Sequence, residues 1–128
     1  MGAFSDYLEA ALLNHVLRNT AYTAPATVYL ALFTTAPGEA GGGTEVSGGG
    51  YARQAISFNA PSGGTCTNSA DVNFPQATAD WGTIQGFGIF SAATGGNLLF
   101  YGNFTVAKQV LNGDYFTVPV GQLSITLD

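Results

Sequence analysis

Residues 81–102 read WGTIQGFGIFSAATGGNLLFYG, and this stretch decides the predicted fold. Two arms rich in apolar and aromatic residues flank a small polar segment that ends in Gly95, Gly96 and Asn97. Glycine and asparagine tolerate the positive φ that tight turns require, so the pattern predicts one β-hairpin. Apolar residues occupy both alternating faces of the second arm, which is typical of a strand between two layers. We therefore predict that this hairpin lies at the centre of a sandwich.

The first arm of the hairpin is interrupted by Gly82, Gly86 and Gly88. A glycine inside a strand has no side chain to pack. It usually marks a bulge, or a place where another backbone segment or an aromatic ring comes close. We expect one of these two features at each of the three glycines.

The remaining sequence predicts one helix and several short strands. Ser5 is a good N-cap, and an apolar stripe at spacings of three and four predicts a helix over residues 5–19. The stripe consists of Phe4, Leu8, Ala11, Leu12 and Val16, and Leu13 and Leu17 fall beside it. Apolar segments then alternate with turn-forming residues, including a glycine-rich loop over 36–50, and the predicted strands include 51–58, 105–108, 115–120 and 123–127. The predicted fold is all-β, a jelly-roll-like β-sandwich with one N-terminal α-helix, in a single domain over residues 1–128.

The composition favours a protein that is packed in an assembly. Charged residues make up 9% of the chain, against about 25% in typical soluble domains. The net charge is -5, and Arg18, Arg53 and Lys108 are the only cations apart from His15. Three scattered cations cannot form the basic stripe that nucleic acid requires, and the negative balance argues against anionic membranes. We also expect no membrane span and no signal peptide, and hence synthesis in the host cytoplasm.

Residues that could carry out catalysis or bind a metal are few. His15 is the only histidine and Cys66 the only cysteine, so no triad, disulfide or zinc site is predicted. No two carboxylates form an evident acid–base pair. Residues 71–73 are similar to the start of a calcium loop, but the glycine and distal glutamate of such a loop are missing. We expect no enzyme and no cofactor, and weak calcium binding between loops stays open.

The hairpin resembles a family of small virion proteins of tailed bacteriophages. The likeness extends over nearly the whole chain, including the stretches LNHVLR (13–18), YLALFT (29–34), EVSGGGYARQ (45–54) and LSITL (123–127). Members are labelled tail-fibre or head-decoration proteins, and the resemblance implies a structural role in the virion. Where the resemblance implies an acidic residue after Ile89 and Phe90, the chain has Ser91, so a charge-based contact at this turn does not carry over to it, whereas the fold does.

Three functions fit these observations. The first is a capsid decoration (cement) protein, a homo-oligomer and most simply a trimer, which binds the major capsid protein outside the head and stabilises the expanded shell by mass action. The second is a tail or tail-fibre-associated structural protein. We favour the head because the sequence has neither heptads nor repeats for a shaft. The third is a carbohydrate-binding module with Trp81, Tyr101 or Tyr51 as stacking platforms, although Trp81 is better interpreted as a core or interface aromatic.

The predicted contacts with other subunits or the capsid come from the helix and the glycine-rich region. The helix either caps the sandwich, which we favour, or docks on a neighbouring subunit. Arg53 is predicted either to pair with Glu45 or to form a subunit contact, and Leu8→Asp is expected to weaken incorporation while leaving the fold soluble. The complete set of predicted contact residues is Phe4, Tyr7, Leu8, Leu12, Glu45 and Arg53.

Overall fold

Residues 2–126 are described by a computed structural model, and within them strands predominate. One helix, α1 (Asp6–Leu17), lies near the N-terminus. The strands, in chain order, are β1 (Gly2–Phe4), β2 (Val28–Thr35), β3 (Thr44–Glu45), β4 (Gln54–Ile56), β5 (Thr65–Thr67), β6 (Val72–Asn73), β7 (Gly82–Phe90), β8 (Leu98–Val110), β9 (Thr117–Val118) and β10 (Ser124–Thr126). The predicted all-β, sandwich-like class with one N-terminal helix is confirmed.

Eight of these strands form one sheet, in the order β3-β2-β7-β8-β1-β10-β5, with β4 paired to β2 beside this path. β6 and β9 form a separate two-stranded sheet. Neighbouring strands are antiparallel except β1 and β10, which run parallel. The predicted hairpin is the β7–β8 pair, and it lies in the middle of the large sheet. Leu127 of the predicted last strand lies outside the described residues.

Gly86 and Gly88 of β7 are required by close approach, as the sequence predicts, whereas Gly82 adopts a positive φ of 94° and its added Cβ would lie 3.4 Å from Thr34, an ordinary contact. A Cβ atom at Gly86 would lie 2.5 Å from the Cβ of Ala36, and one at Gly88 would lie 2.9 Å from the side chain of Leu98. In the hairpin turn, Gly95 and Gly96 adopt φ values of 63° and 72°. These glycines therefore serve two purposes, close packing in the strand and left-handed backbone in the turn.

β8 is longer than the sequence indicates, because residues 105–108 continue it instead of forming a separate strand. Ile84 faces Lys108, but Gly86 faces Asn103, so residues 104–107 lie opposite Gln85 alone. This is a large, irregular β-bulge, which lets the strand bend without ending. It turns Phe104 towards Phe87 and Phe116 (centroids 5.3 and 5.6 Å away) and leaves residue 106 exposed.

Two other strands are shorter than predicted. Residues 51–58 contribute only β4, and residues 115–120 contribute only β9. Side chains replace the strand ladder in these segments: the Asp71 carboxylate accepts a hydrogen bond from the Val120 backbone N–H at 2.8 Å. Tyr51 is held by its ring, which stacks on Phe74 with centroids 6.1 Å apart. Alternating apolar residues signal burial here, but not ladder pairing.

The core lies between the large sheet and the segments that cross it. Its buried members come from nearly every part of the chain, and they are Leu30, Leu32, Val46, Ile56, Val72, Phe74, Ala77, Trp81, Ile84, Phe87, Ile89, Val110, Phe116, Val118, Leu123 and Ile125. The central strands β2 and β7 supply most of its least exposed side chains. This continuous cluster gives the structure a rigid centre on which the N-terminal segment and the loops are placed.

Candidate assembly site

The N-terminal segment forms an arm, defined here as residues 2–17, that lies on β8. β1 pairs with residues 100–102 of β8, and α1 follows directly. Ser5 joins the two elements: its N–H donates to the Leu99 carbonyl at 2.9 Å, and its hydroxyl donates to the Leu98 carbonyl. The same hydroxyl accepts a hydrogen bond from the Leu8 N–H at 3.2 Å, which is the predicted N-cap. One buried side chain therefore both starts the helix and attaches it to the sheet.

The four predicted contact residues of the arm differ in exposure. Phe4 is half-buried, and its ring packs edge-on against Phe100 with centroids 4.7 Å apart. Leu8 is only 5% exposed, Leu12 is half-buried and Tyr7 is exposed. We therefore revise the expectation for Leu8→Asp, because a carboxylate at this site would be buried without a partner and would destabilise the fold. Contact of Phe4, Tyr7 and Leu12 with another subunit stays a prediction.

A different face of the helix is apolar and open to solvent. Leu13, Val16 and Leu17 are 59%, 73% and 74% exposed, and we call these three residues the outer face. The sequence placed Val16 on the inward stripe, whereas the structure turns it outward. Residues three and four apart are neighbours on a helix, so the three side chains form one patch. The spacing of Leu13 and Leu17 could have revealed this second stripe, but only the packing shows which stripe is covered.

Glu45 and Arg53, the other predicted contact residues, form a network within the chain. Two nitrogens of the Arg53 guanidinium donate to the two carboxylate oxygens of Glu45 at 2.8 and 2.9 Å. The third nitrogen donates to the carbonyls of Ala92 and Gly95 at 3.0 and 2.8 Å. The guanidinium carbon also lies 3.7 Å from the centroid of the Phe90 ring. Arg53 therefore ties the strand-β3 region to the turn of the central hairpin.

Tyr51 completes this network. Its hydroxyl donates to Glu45 at 2.7 Å and accepts from the Leu32 backbone N–H at 3.0 Å. Burial pushes the pKa of Glu45 upward, but the hydrogen bonds from Arg53 and Tyr51 outweigh it and hold that pKa below its usual value. Burial, together with the bond to the Glu45 carboxylate, raises the pKa of Tyr51 far above its usual value. The network is thus an ionised pair with a neutral tyrosine.

The network accounts for one of the two roles predicted for Arg53, because its side chain is 9% exposed and pairs with Glu45. A further contact of these two residues with another subunit stays a prediction. Ser91 also has an internal role, since its hydroxyl accepts a hydrogen bond from the Asn97 N–H at 2.9 Å and braces the turn. The turn is therefore held from both sides without an acidic residue.

Trp81 belongs to the core, as the preferred interpretation of the sequence holds. It is 6% exposed, and its indole N–H donates to the Gly49 carbonyl at 2.8 Å. Its ring lies edge-on to Tyr51 and Phe74, with centroids 5.6 and 6.5 Å away. A ring covered in this way has no free face on which a sugar could stack.

Some of the remaining polar side chains hold turns. The carboxylates of Asp80 and Asp114 accept backbone N–H groups of residues 112 and 111 at 2.8 and 2.9 Å. His15 Nδ1 accepts a hydrogen bond from the Tyr22 N–H at 3.2 Å, and Cys66 is a half-buried free thiol.

Within residues 2–126, the side chains of His, Cys, Asp and Glu do not form a group of three or more, which a metal site would need. α1 is too short to cross a membrane, and it is the one helix in the described part.

The architecture can now be compared with known proteins. The sequence model of a family described as podophage GP4 fiber I protein gp80 matches residues 3–126. The chain belongs to this family. The match runs from the arm to β10 and confirms the resemblance to structural proteins of the tailed-phage virion, and it indicates a location in the virion. Comparison with curated proteins found no match.

Proposed function

We propose that the chain is a non-enzymatic structural subunit of a phage fibre that assembles with further copies of itself. The observation that carries this proposal is the match over residues 3–126 to a family described by a fibre protein. It supports the tail or fibre alternative better than decoration of the head. The lack of heptads and repeats led us to favour the head, but a fibre can also be built from globular subunits. One chain's fold does not encode its place in a particle.

The polar contacts support a structural role. Asp71, Asp80 and Asp114 each accept a backbone N–H group, and Glu45 is paired with Arg53. These carboxylates are engaged in holding turns, whereas an acid–base catalyst needs a carboxylate directed into a cleft. A subunit of an appendage needs a rigid body with defined loop positions, and these contacts provide it.

The proposed partners follow from the exposed apolar residues and the charge of the chain. The exposed outer face and the low content of charge suit burial against other copies, and a trimer is the state that we propose. Nucleic acid is not a proposed partner, because Arg53 is neutralised by Glu45 and Lys108 donates to the Tyr115 carbonyl at 3.1 Å. The negative net charge likewise disfavours anionic membranes as partners.

Location in the particle tests the proposal directly. A short epitope is inserted after Gly63, where the loop is exposed and an added Cβ meets no atom within 4 Å. Purified virions are then labelled with gold-conjugated antibody and imaged by electron microscopy. We expect gold on the tail fibres, and quantitative mass spectrometry should give far fewer copies than of the major capsid protein.

The control is the untagged phage, which must remain unlabelled under the same conditions. Gold spread over the head, with a copy number close to that of the major capsid protein, would overturn the fibre proposal in favour of decoration. Complete absence of the chain from purified virions would refute both placements. Each result therefore separates the fibre, the head and a role outside the particle.

A further inference from the structure

The linker between the arm and the body of the protein is exposed and is bonded mainly to the arm. Residues 18–27 join α1 to β2, and all are exposed except Tyr22 and Pro25, which are half-buried. The N–H groups of Arg18 and Thr20 both donate to the Asn14 carbonyl at 3.0 Å, and the N–H of Tyr22 donates to His15. Among the described residues, no hydrogen bond of residues 18–24 reaches the sheet. The first part of the linker is therefore bonded to the arm and not to the sheet.

The arm itself recognises the body as a separate ligand would. β1 adds a strand to β8 through residues 100–102, and it runs parallel to β10 at residue 125. Phe4 contacts the Phe100 ring, Ser5 binds two carbonyls of β8, and the Asp6 N–H donates to the Glu39 carbonyl at 2.9 Å. Strand addition combined with an anchoring side chain is a known mode of peptide recognition. None of these contacts requires the arm and the body to belong to the same copy.

We propose that in the assembled protein the arm of one copy docks on β8 of a neighbouring copy, through the same contacts that the structure describes within one chain. The occupant is a second copy, and the interface continues the arm–body interface already present. The inference rests on the proposed function, because an assembling protein brings a second copy within reach. Exchange preserves every arm–body contact, so only the linker has to change its conformation.

The reach of the linker and the outer face both fit this arrangement. If residues 18–22 keep their hydrogen bonds to the helix, the five residues 23–27 span about 17–18 Å when extended. Release of the whole linker, residues 18–27, raises this reach to about 33–36 Å, comparable with the width of a small domain. In a single chain, Leu13, Val16 and Leu17 remain in water. After exchange, the helix lies at the junction of two copies, where these side chains can be covered by the body of the chain that donates the arm. Exchange thus explains both an exposed linker and an apolar helix face.

Cysteine cross-linking between differently sized chains tests the proposal. Ala3 and Tyr101 are paired residues on β1 and β8, and Cα atoms of such pairs lie about 4.5–5.5 Å apart, within the range for a disulfide. In a Cys66→Ser background, an untagged chain with Ala3→Cys is co-expressed with a tagged full chain with Tyr101→Cys. The proteins are oxidised and resolved on a non-reducing denaturing gel. We expect a covalent dimer of mixed size.

An arm that docks only within its own chain cannot form this dimer, since each chain then has a single cysteine at the pair. The matched control combines Ala3→Cys with Ala107→Cys, which does not face β1, and should give at least tenfold less mixed dimer. The double variant Ala3→Cys/Tyr101→Cys on one chain forms the disulfide in either arrangement. Exchange makes it a covalent oligomer, whereas docking within the chain leaves it a monomer.

Covalent monomer from the double variant, without mixed dimer, would overturn arm exchange. If the double variant does not cross-link at all, Ala3 and Tyr101 are not paired as the β1–β8 register requires, and the proposal is also overturned. Both results leave the location of the chain in the virion untouched, so arm exchange and the fibre role can fail independently.

Discussion

Replacing Arg53 with methionine is the perturbation that best tests the network behind the central hairpin. The substitution keeps an unbranched apolar stem but removes every donor of the guanidinium. Among the described residues, Tyr51 is then the one side chain that still donates a hydrogen bond to Glu45. The carbonyls of Ala92 and Gly95 lose the hydrogen bonds that they accept from Arg53. The contact with the face of Phe90 also disappears. We expect a large loss of stability, because the remaining groups were positioned for a cation.

The magnitude follows from the exposure of the two partners. Breaking a buried ion pair costs about 3–5 kcal/mol, and an arginine over an aromatic face adds about 0.5–2 kcal/mol. The Arg53 side chain is 9% exposed but that of Glu45 is 26% exposed, so water can rehydrate part of the carboxylate. With this discount, we expect the free energy of unfolding to fall by about 3 kcal/mol. That is a large part of the about 5–15 kcal/mol typical of folded proteins.

Urea denaturation followed by tryptophan fluorescence measures this loss, since Trp81 is the only tryptophan and is buried. The matched control is Arg18→Met, because Arg18 is exposed and, among residues 2–126, its side chain bonds only to Asn14. We expect the control to change stability by less than about 0.5 kcal/mol. A loss below about 1 kcal/mol for Arg53→Met, or an equal loss in the control, would refute the idea that this network holds the turn.

Three further substitutions test the site and the packing. The pKa of Glu45 is lowered in the folded state. The stability that its ionised carboxylate contributes is therefore present above the unfolded pKa and is lost as the pH falls through the folded pKa. In thermal melts below pH 4.5, the melting temperature should fall less steeply for Glu45→Gln than for the natural chain. Gly86→Ala should cost about 1–3 kcal/mol in urea denaturation because its Cβ meets Ala36, whereas Gly38→Ala, with its nearest atom 3.9 Å away, should be close to neutral; similar losses in both would contradict the close-approach explanation. Leu8→Ala should cost about 2–5 kcal/mol because Leu8 is buried, and Leu17→Ala should be nearly neutral in the same assay, a ranking that equal midpoints would disprove.

These experiments separate stability from assembly. Leu8 and the Glu45–Arg53 network lie inside one chain, so changes there should act first on unfolding. The outer face lies in solvent, so changes there should act on association between copies. The sequence assigned the N-terminal helix and the glycine-rich region together to contacts with other subunits. The structure divides them into residues that stabilise the single chain and residues that are exposed to other copies.

Local chemistry was sufficient to predict much of the fold. Ser5 begins α1, and Gly95 and Gly96 form the turn between β7 and β8, because capping and positive φ depend on residues close in sequence. The bulge at residues 104–107 escaped prediction, since nothing in the alternation of apolar residues shows where a neighbouring strand loses its register. Short strands such as β9 were overextended for the same reason.

The sequence by itself determined the class of the fold, the central hairpin, the small number of charges and the likeness to virion proteins, all of which rest on local patterns or composition. Tertiary structure alone decided that Arg53 closes on the hairpin turn, that Leu8 is covered and that Leu13, Val16 and Leu17 are not. The physical reason is that burial and pairing depend on residues far apart in the chain, such as Arg53 and Gly95. A helix with two apolar stripes has no intrinsic inside, and only the sheet that it packs against selects one.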